Sequence, residues 1–148
     1  MSFRYPLQKI VDLKGSQKSM AEWEYAASLG KLRQEEERLA HLHQERAEMG
    51  QSLQETSERP TPLARLAMLQ TYIDTLDARI RKQHEGVRSA EVQVRIRQGH
   101  LTDKMVDEKV WVNARDRALE RFRSDRLAKE QNELDEIAIV RSAASSRA

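Results

Sequence analysis

The chain has 148 residues, 34% of them Asp, Glu, Lys or Arg and only 5% aromatic, a composition too charged for a rounded hydrophobic core and suited to long packed helices. Its net charge of +2, from 26 basic against 24 acidic side chains, gives no general reason to expect a nucleic-acid partner. Cysteine is absent, which removes disulfide and thiolate chemistry, and no run approaches the roughly 18–20 apolar residues that span a bilayer. The opening Met-Ser-Phe-Arg-Tyr-Pro lacks the apolar stretch of a secretory signal, so a soluble cytoplasmic chain is expected.

A first helix is expected from about residue 6 to 57, with Pro6 at an early helical position. Its clearest repeat is Leu32, Glu35, Leu39, Leu42, Arg46, Met49 and Leu53, alternating steps of three and four. Upstream, Ile10, Leu13, Gln17, Met20, Trp23 and Ala27 give a looser stripe, and joining the two predicts a change of winding near Ala27–Gly30. At residues 58–62 Pro60 and Pro62 each remove a backbone donor and push Arg59 and Thr61 out of the helical region, forcing a turn. A second helix follows from about residue 63 to 141. Its stripe is Leu66, Leu69, Ile73, Leu76, Ile80, Gln83, Val87, Ala90, Val94, Arg97 and Leu101. Past Leu101 the stripe shifts by one, to Met105, Glu108, Val112, Arg115, Leu119 and Phe122, then thins through Leu127, Leu134 and Ile137. The small polar tail, residues 142–148, is expected to be disordered.

The expected fold is therefore all-α, a single antiparallel two-helix coiled-coil hairpin with unequal arms. Reversal at residue 60 sets residue i opposite about residue 120 − i, so Leu42 faces the neighbourhood of Ala78 and Trp23 that of Arg97. Everything after about Arg117 then lacks a partner from the first arm, yet still carries apolar residues. An amphipathic helix depends on packing for its stability, so an unpaired stripe predicts a second protein around it.

Candidate chemistry is sparse. His41 and His43 are two apart, on different helical faces, and with His84 and His100 form no metal-ligand spacing. No Gly-rich phosphate loop or Ser-His-Asp context occurs, so no catalytic, cofactor-binding or metal-ligating residue is assigned and no enzyme is expected. The basic run Arg115, Arg117, Arg121, Arg123 and Arg126 could grip phosphates or an acidic protein, but Asp116, Glu120 and Asp125 interleave with it. Trp23, Trp111 and Tyr72 divide between partial burial on a thin seam and service as contact anchors.

Three segments carry a resemblance to a known family. The run Leu69-Gln70-Thr71-Tyr72-Ile73-Asp74-Thr75-Leu76-Asp77-Ala78-Arg79-Ile80 and the distal Leu134-Asp135-Glu136-Ile137-Ala138 resemble the FliJ family of the bacterial flagellar type III export apparatus, and the opening Phe3-Arg4-Tyr5-Pro6-Leu7-Gln8-Lys9-Ile10-Val11-Asp12-Leu13-Lys14 looks like the form of that family found in Gram-positive bacteria. The resemblance implies a coiled coil similar to the central stalk of rotary ATPases, with the helix termini inside the hexameric ring of the export ATPase. On that basis Leu119, Phe122, Arg126, Leu127, Leu134 and Ile137 are the expected ring contacts. It also implies contact with the cytoplasmic domain of the export gate protein FlhA through Arg38, Leu42, Glu45 and Met49 on the first arm and Tyr72, Leu76, Arg79 and Gln83 on the second. Glu45, Met49, Arg79 and Gln83 depart from the aromatic, small or histidine types expected there. Export chaperones are a further implied partner.

The resulting expectation is a non-enzymatic stalk serving flagellar protein export and motility. It would be cytoplasmic, peripheral at the inner face of the cell membrane, without nucleic acid or membrane insertion, and monomeric in isolation. The alternatives are a self-associating structural coiled coil and the equivalent stalk of a virulence type III secretion system.

Overall fold

A computed structural model of the chain describes residues 2–147. Two helices packed against each other, α1 (Gln8–Ser57) and α2 (Leu63–Ser146), account for nearly all of these residues, with no strand among them. The fold is the all-α, antiparallel coiled-coil hairpin that the periodicity implies, with arms of 50 and 84 residues.

The proline turn is closed by backbone and hydroxyl bonds. The Glu58 amide donates to the Gln54 carbonyl at 3.3 Å, while the Pro62 carbonyl accepts from Arg65 at 3.1 Å and opens α2. Thr61 Oγ1 donates back to the Thr56 carbonyl at 2.8 Å, tying the end of α1 to the connection. At the other end α1 begins at Gln8, whose amide bonds to the Tyr5 carbonyl at 3.1 Å, slightly later than Pro6 suggests. Helix α2 continues to Ser146, five residues past the expected stop at Arg141. The tail read as disordered from its polarity is helical through that point: Ala143 and Ala144 are strong helix formers, and Ser146 Oγ donates to the Ala143 carbonyl at 3.0 Å. Ala148, the last residue of that expected tail, lies outside the described residues.

The chain divides into two compact units, Met20–Thr102 and Met1–Ser19 with Asp103–Ala148. In Met20–Thr102, the α2 stripe is covered as expected, and Ile73, Leu76, Ile80, Val87 and Ala90 are buried. Facing them, the covered α1 positions are Ala21, Tyr25, Ser28, Leu32, Glu35, Leu39, Leu42, Arg46, Met49 and Leu53, an unbroken alternation of four and three. No change of winding occurs near Ala27–Gly30. The larger apolar residues Met20 and Trp23 had suggested a different stripe, yet both point outward, Trp23 being 82% exposed. The physical reason is that one undistorted heptad phase serves the whole helix, and small Ala21 and Ser28 let the arms approach at the positions this phase selects.

Polar layers interrupt this seam at matched levels. Arg46 Nε pairs with Asp77 at 3.1 Å, Gln83 Nε2 donates to the Glu35 carbonyl at 2.9 Å, and Arg97 pairs with Glu24 at 3.0 Å. Arg97 thus meets the neighbour of Trp23 and not Trp23 itself. The absence of a side chain at Gly86 leaves space for the Glu35 carboxylate, since a Cβ there would come within 3.2 Å of Oε2.

The other unit pairs the start of α1 with α2 beyond Asp103. Val11 is buried, and the seam then runs through lysines: Lys14 Nζ pairs with Asp107 at 2.7 Å and Lys18 Nζ with Glu108 at 3.0 Å. Their alkyl stems cover the seam while the ammonium groups reach its edge. Leu13, expected inward, is 54% exposed for the same reason as Trp23. The one-residue shift expected after Leu101 is only partial, because Lys104 is half-buried and Met105 exposed, whereas Val112 and Leu119 are half-buried beside Trp111 and Ala118. Pairing ends in an aromatic contact, Phe3 on Phe122 with ring centroids 5.4 Å apart.

The burial pattern separates two substitutions that sequence alone would equate. Leu76→Ala, at a fully buried position, should lower the stability of the full chain by about 2–4 kcal/mol in urea denaturation. Trp23→Ala should stay within about 0.5 kcal/mol of wild type.

Candidate functional site

The first candidate surface is the far end of α2. Every described residue after Phe122 is exposed, so residues 123–146 form a helix left uncovered by the other described residues. Leu127 is 66% exposed, Leu134 60% and Ile137 49%. Ile139 and Val140 are equally exposed and were missed in the sequence, where an apolar pair breaking the three-four spacing leaves no periodic signal. Of the other expected ring contacts, Leu119 and Phe122 are half-buried in the seam, and Arg126 Nε pairs with Glu130 one turn on at 3.3 Å.

The second lies in Met20–Thr102, where the eight residues named from the sequence divide between the seam and its rim. Leu76 is fully buried and Leu42, Met49 and Gln83 are half-buried seam residues, so these four are occupied in holding the arms together. Arg38, Tyr72 and Arg79 are exposed. With Glu45 they occupy positions immediately preceding seam residues on one side of the hairpin. The Tyr72 hydroxyl donates a hydrogen bond to Glu45 Oε1, joining the arms at the rim of the seam. Beside Tyr72, the outer face of α2 presents a shallow depression lined by Ala64, Ala67, Met68, Thr71 and Thr75.

That bond raises the Tyr72 pKa above the ordinary tyrosine value; burial and the Glu45 charge add to the effect, and the Arg79 cation opposes it. A folded-state pKa raised above the unfolded value means that the neutral phenol contributes stability below about pH 10, lost as pH climbs through the raised pKa.

No cluster of three or more His, Cys, Asp or Glu side chains able to hold a metal ion occurs among the described residues. His43 and His84 meet edge to face across the arms with centroids 5.8 Å apart, while His41 and His100 are exposed. Among the described residues no helix is long and apolar enough to cross a membrane.

Against this geometry, the sequence pattern of the flagellar FliJ protein family matches residues 3–147, the whole of both arms and the turn. The chain belongs to the FliJ family. Membership assigns it to flagellar type III export. The fold is also that of a solved protein from Chlamydia trachomatis described as a YscO homologue: 19% sequence identity, a TM-score of 0.65 and coverage of 99% of each chain. No curated protein sequence matches.

The rim contact can be read spectroscopically. In an alkaline titration followed by tyrosinate absorbance, Glu45→Ala should move the Tyr72 midpoint down towards the ordinary value of 10.0, with Tyr72→Phe identifying the transition that belongs to this residue.

Proposed function

We propose that this FliJ-family chain is a non-enzymatic stalk of the flagellar export apparatus, whose uncovered α2 end seats in the hexameric ring of the export ATPase. The carrying observation is the exposed end of α2, residues 123–146, which displays Leu127, Leu134, Ile137, Ile139 and Val140 uncovered by the other described residues. An apolar stripe on an otherwise charged helix gains stability when a partner covers it, so the ring supplies what α1 does not. Phe3 and Phe122, closing the paired region, mark how deep the two-helix part reaches.

Contact with the cytoplasmic domain of the gate protein FlhA is assigned to the rim formed by Arg38, Glu45, Tyr72 and Arg79. The exposure of Arg38, Tyr72 and Arg79, and the side of the hairpin they share with half-buried Glu45, support this reduced set. Leu42, Met49, Leu76 and Gln83 contribute by fixing the spacing of the arms that carry it. With the ring at one end and the gate at this rim, the stalk promotes ring assembly, couples the ATPase to export at the inner face of the cell membrane, and assists the cycling of export chaperones. Catalysis belongs to the ATPase.

Deleting residues 123–148 tests the assignment. The truncated chain should keep its helical circular dichroism and its binding to the gate's cytoplasmic domain, and lose stimulation of the export ATPase. Tyr72→Ala with Arg79→Glu should do the reverse. Full stimulation by the truncated chain would overturn the ring assignment.

A further inference from the structure

The exposed end of α2 carries its charge in two adjoining heptads of opposite sign. Residues 123–129 contain Arg123, Arg126 and Lys129 against Asp125, and residues 130–136 contain Glu130, Glu133, Asp135 and Glu136 with no basic residue. Each heptad has one leucine at the same position, Leu127 and Leu134, both exposed. This pattern is complementary to itself read backwards. Two copies laid antiparallel bring the basic heptad of each beside the acidic heptad of the other and set Leu127 level with Leu134 of the second copy. Laid parallel in register, the same helices oppose four carboxylates to four carboxylates, so charge selects the antiparallel two-fold arrangement.

We propose that, when no other partner covers it, the distal segment of α2 is an interaction surface for a second copy of the chain. The copies pair antiparallel through residues 123–138 in a weak two-fold dimer. The intrahelical pair of Arg126 with Glu130 does not oppose this, because exposed charges interact with several neighbours within a Debye length of about 8 Å at physiological salt. Two heptads make a short interface, so the dimer is in concentration-dependent exchange with the monomer. The same apolar residues serve the proposed ring contact, so self-pairing and ring entry exclude each other; the dimer is a form that keeps the stripe covered until the ring is available. The self-pairing does not depend on the ring assignment.

Sedimentation of the full chain at tens of micromolar tests this with charge reversal. Wild type should dimerise at about 0.05 M salt and dissociate at about 0.5 M. Arg123→Glu/Arg126→Glu/Lys129→Glu and Glu130→Lys/Glu133→Lys/Asp135→Lys/Glu136→Lys should each be monomeric alone, with dimerisation weakened at least about tenfold. Mixed in equal amounts, the two variants should form a heterodimer. Circular dichroism matching wild type establishes that each variant retains its helix. A wild type that stays monomeric at low salt, a dimer that survives either reversal, or a mixture that stays monomeric would overturn the proposal.

Discussion

The turn at Pro60 and Pro62 ends α1 and opens α2, two helices that pack against each other, and in the unit that holds the chain ends Phe3 packs on Phe122. The seam then divides its labour by magnitude. Burying Ile73, Leu76, Ile80 and Val87 is worth about 1.5–3 kcal/mol for each side chain, whereas a partly exposed ion pair such as Arg46–Asp77 or Glu24–Arg97 contributes about 0–1 kcal/mol. Apolar layers therefore set the stability of Met20–Thr102. The polar layers act mainly on register, since sliding one arm by a heptad would part Gln83 from Glu35 and Arg46 from Asp77.

In the unit that holds the chain ends this balance changes. Lys14 and Lys18 occupy seam positions that aliphatic residues fill elsewhere, and their carboxylate partners leave the contact sensitive to ionic strength. Gly15 belongs to this arrangement, because a Cβ there would lie 3.2 Å from the Glu108 carboxylate.

Much of this was legible in the sequence, and the failures share a cause. The proline turn, the α2 stripe to Leu101 and the unpaired distal arm follow from local sterics and heptad counting, which long helices obey closely. The first half of α1 misled because Leu13, Met20 and Trp23 are apolar but stand on its outer face, while Lys14, Lys18 and Ser28 are covered. Apolarity locates a seam only where the outer face is polar; where it is not, the phase carried in from Leu32 decides. Of the eight residues named for the gate contact, four are seam residues. A motif centred on Tyr72 includes Leu76, which lies one turn away on the face that holds the hairpin together, and motif spacing does not distinguish a rim residue from a seam residue. Outward-facing Trp23, Val92 and Ile96 show that the arms of Met20–Thr102 carry more apolar surface than their mutual seam consumes.

For a FliJ-family protein, the consequence is an α2 helix whose described residues beyond Phe122 are all exposed, the segment on which the proposed docking rests. Amide hydrogen exchange on the dilute full chain, alone and with the export ATPase, measures this directly. The account predicts slow exchange around Ile73–Ala90 in both samples, and fast exchange over residues 123–147 in the free chain that slows when the ATPase is added. Slow exchange of residues 123–147 in the dilute free chain, or fast exchange unaltered by a bound ATPase, would contradict it.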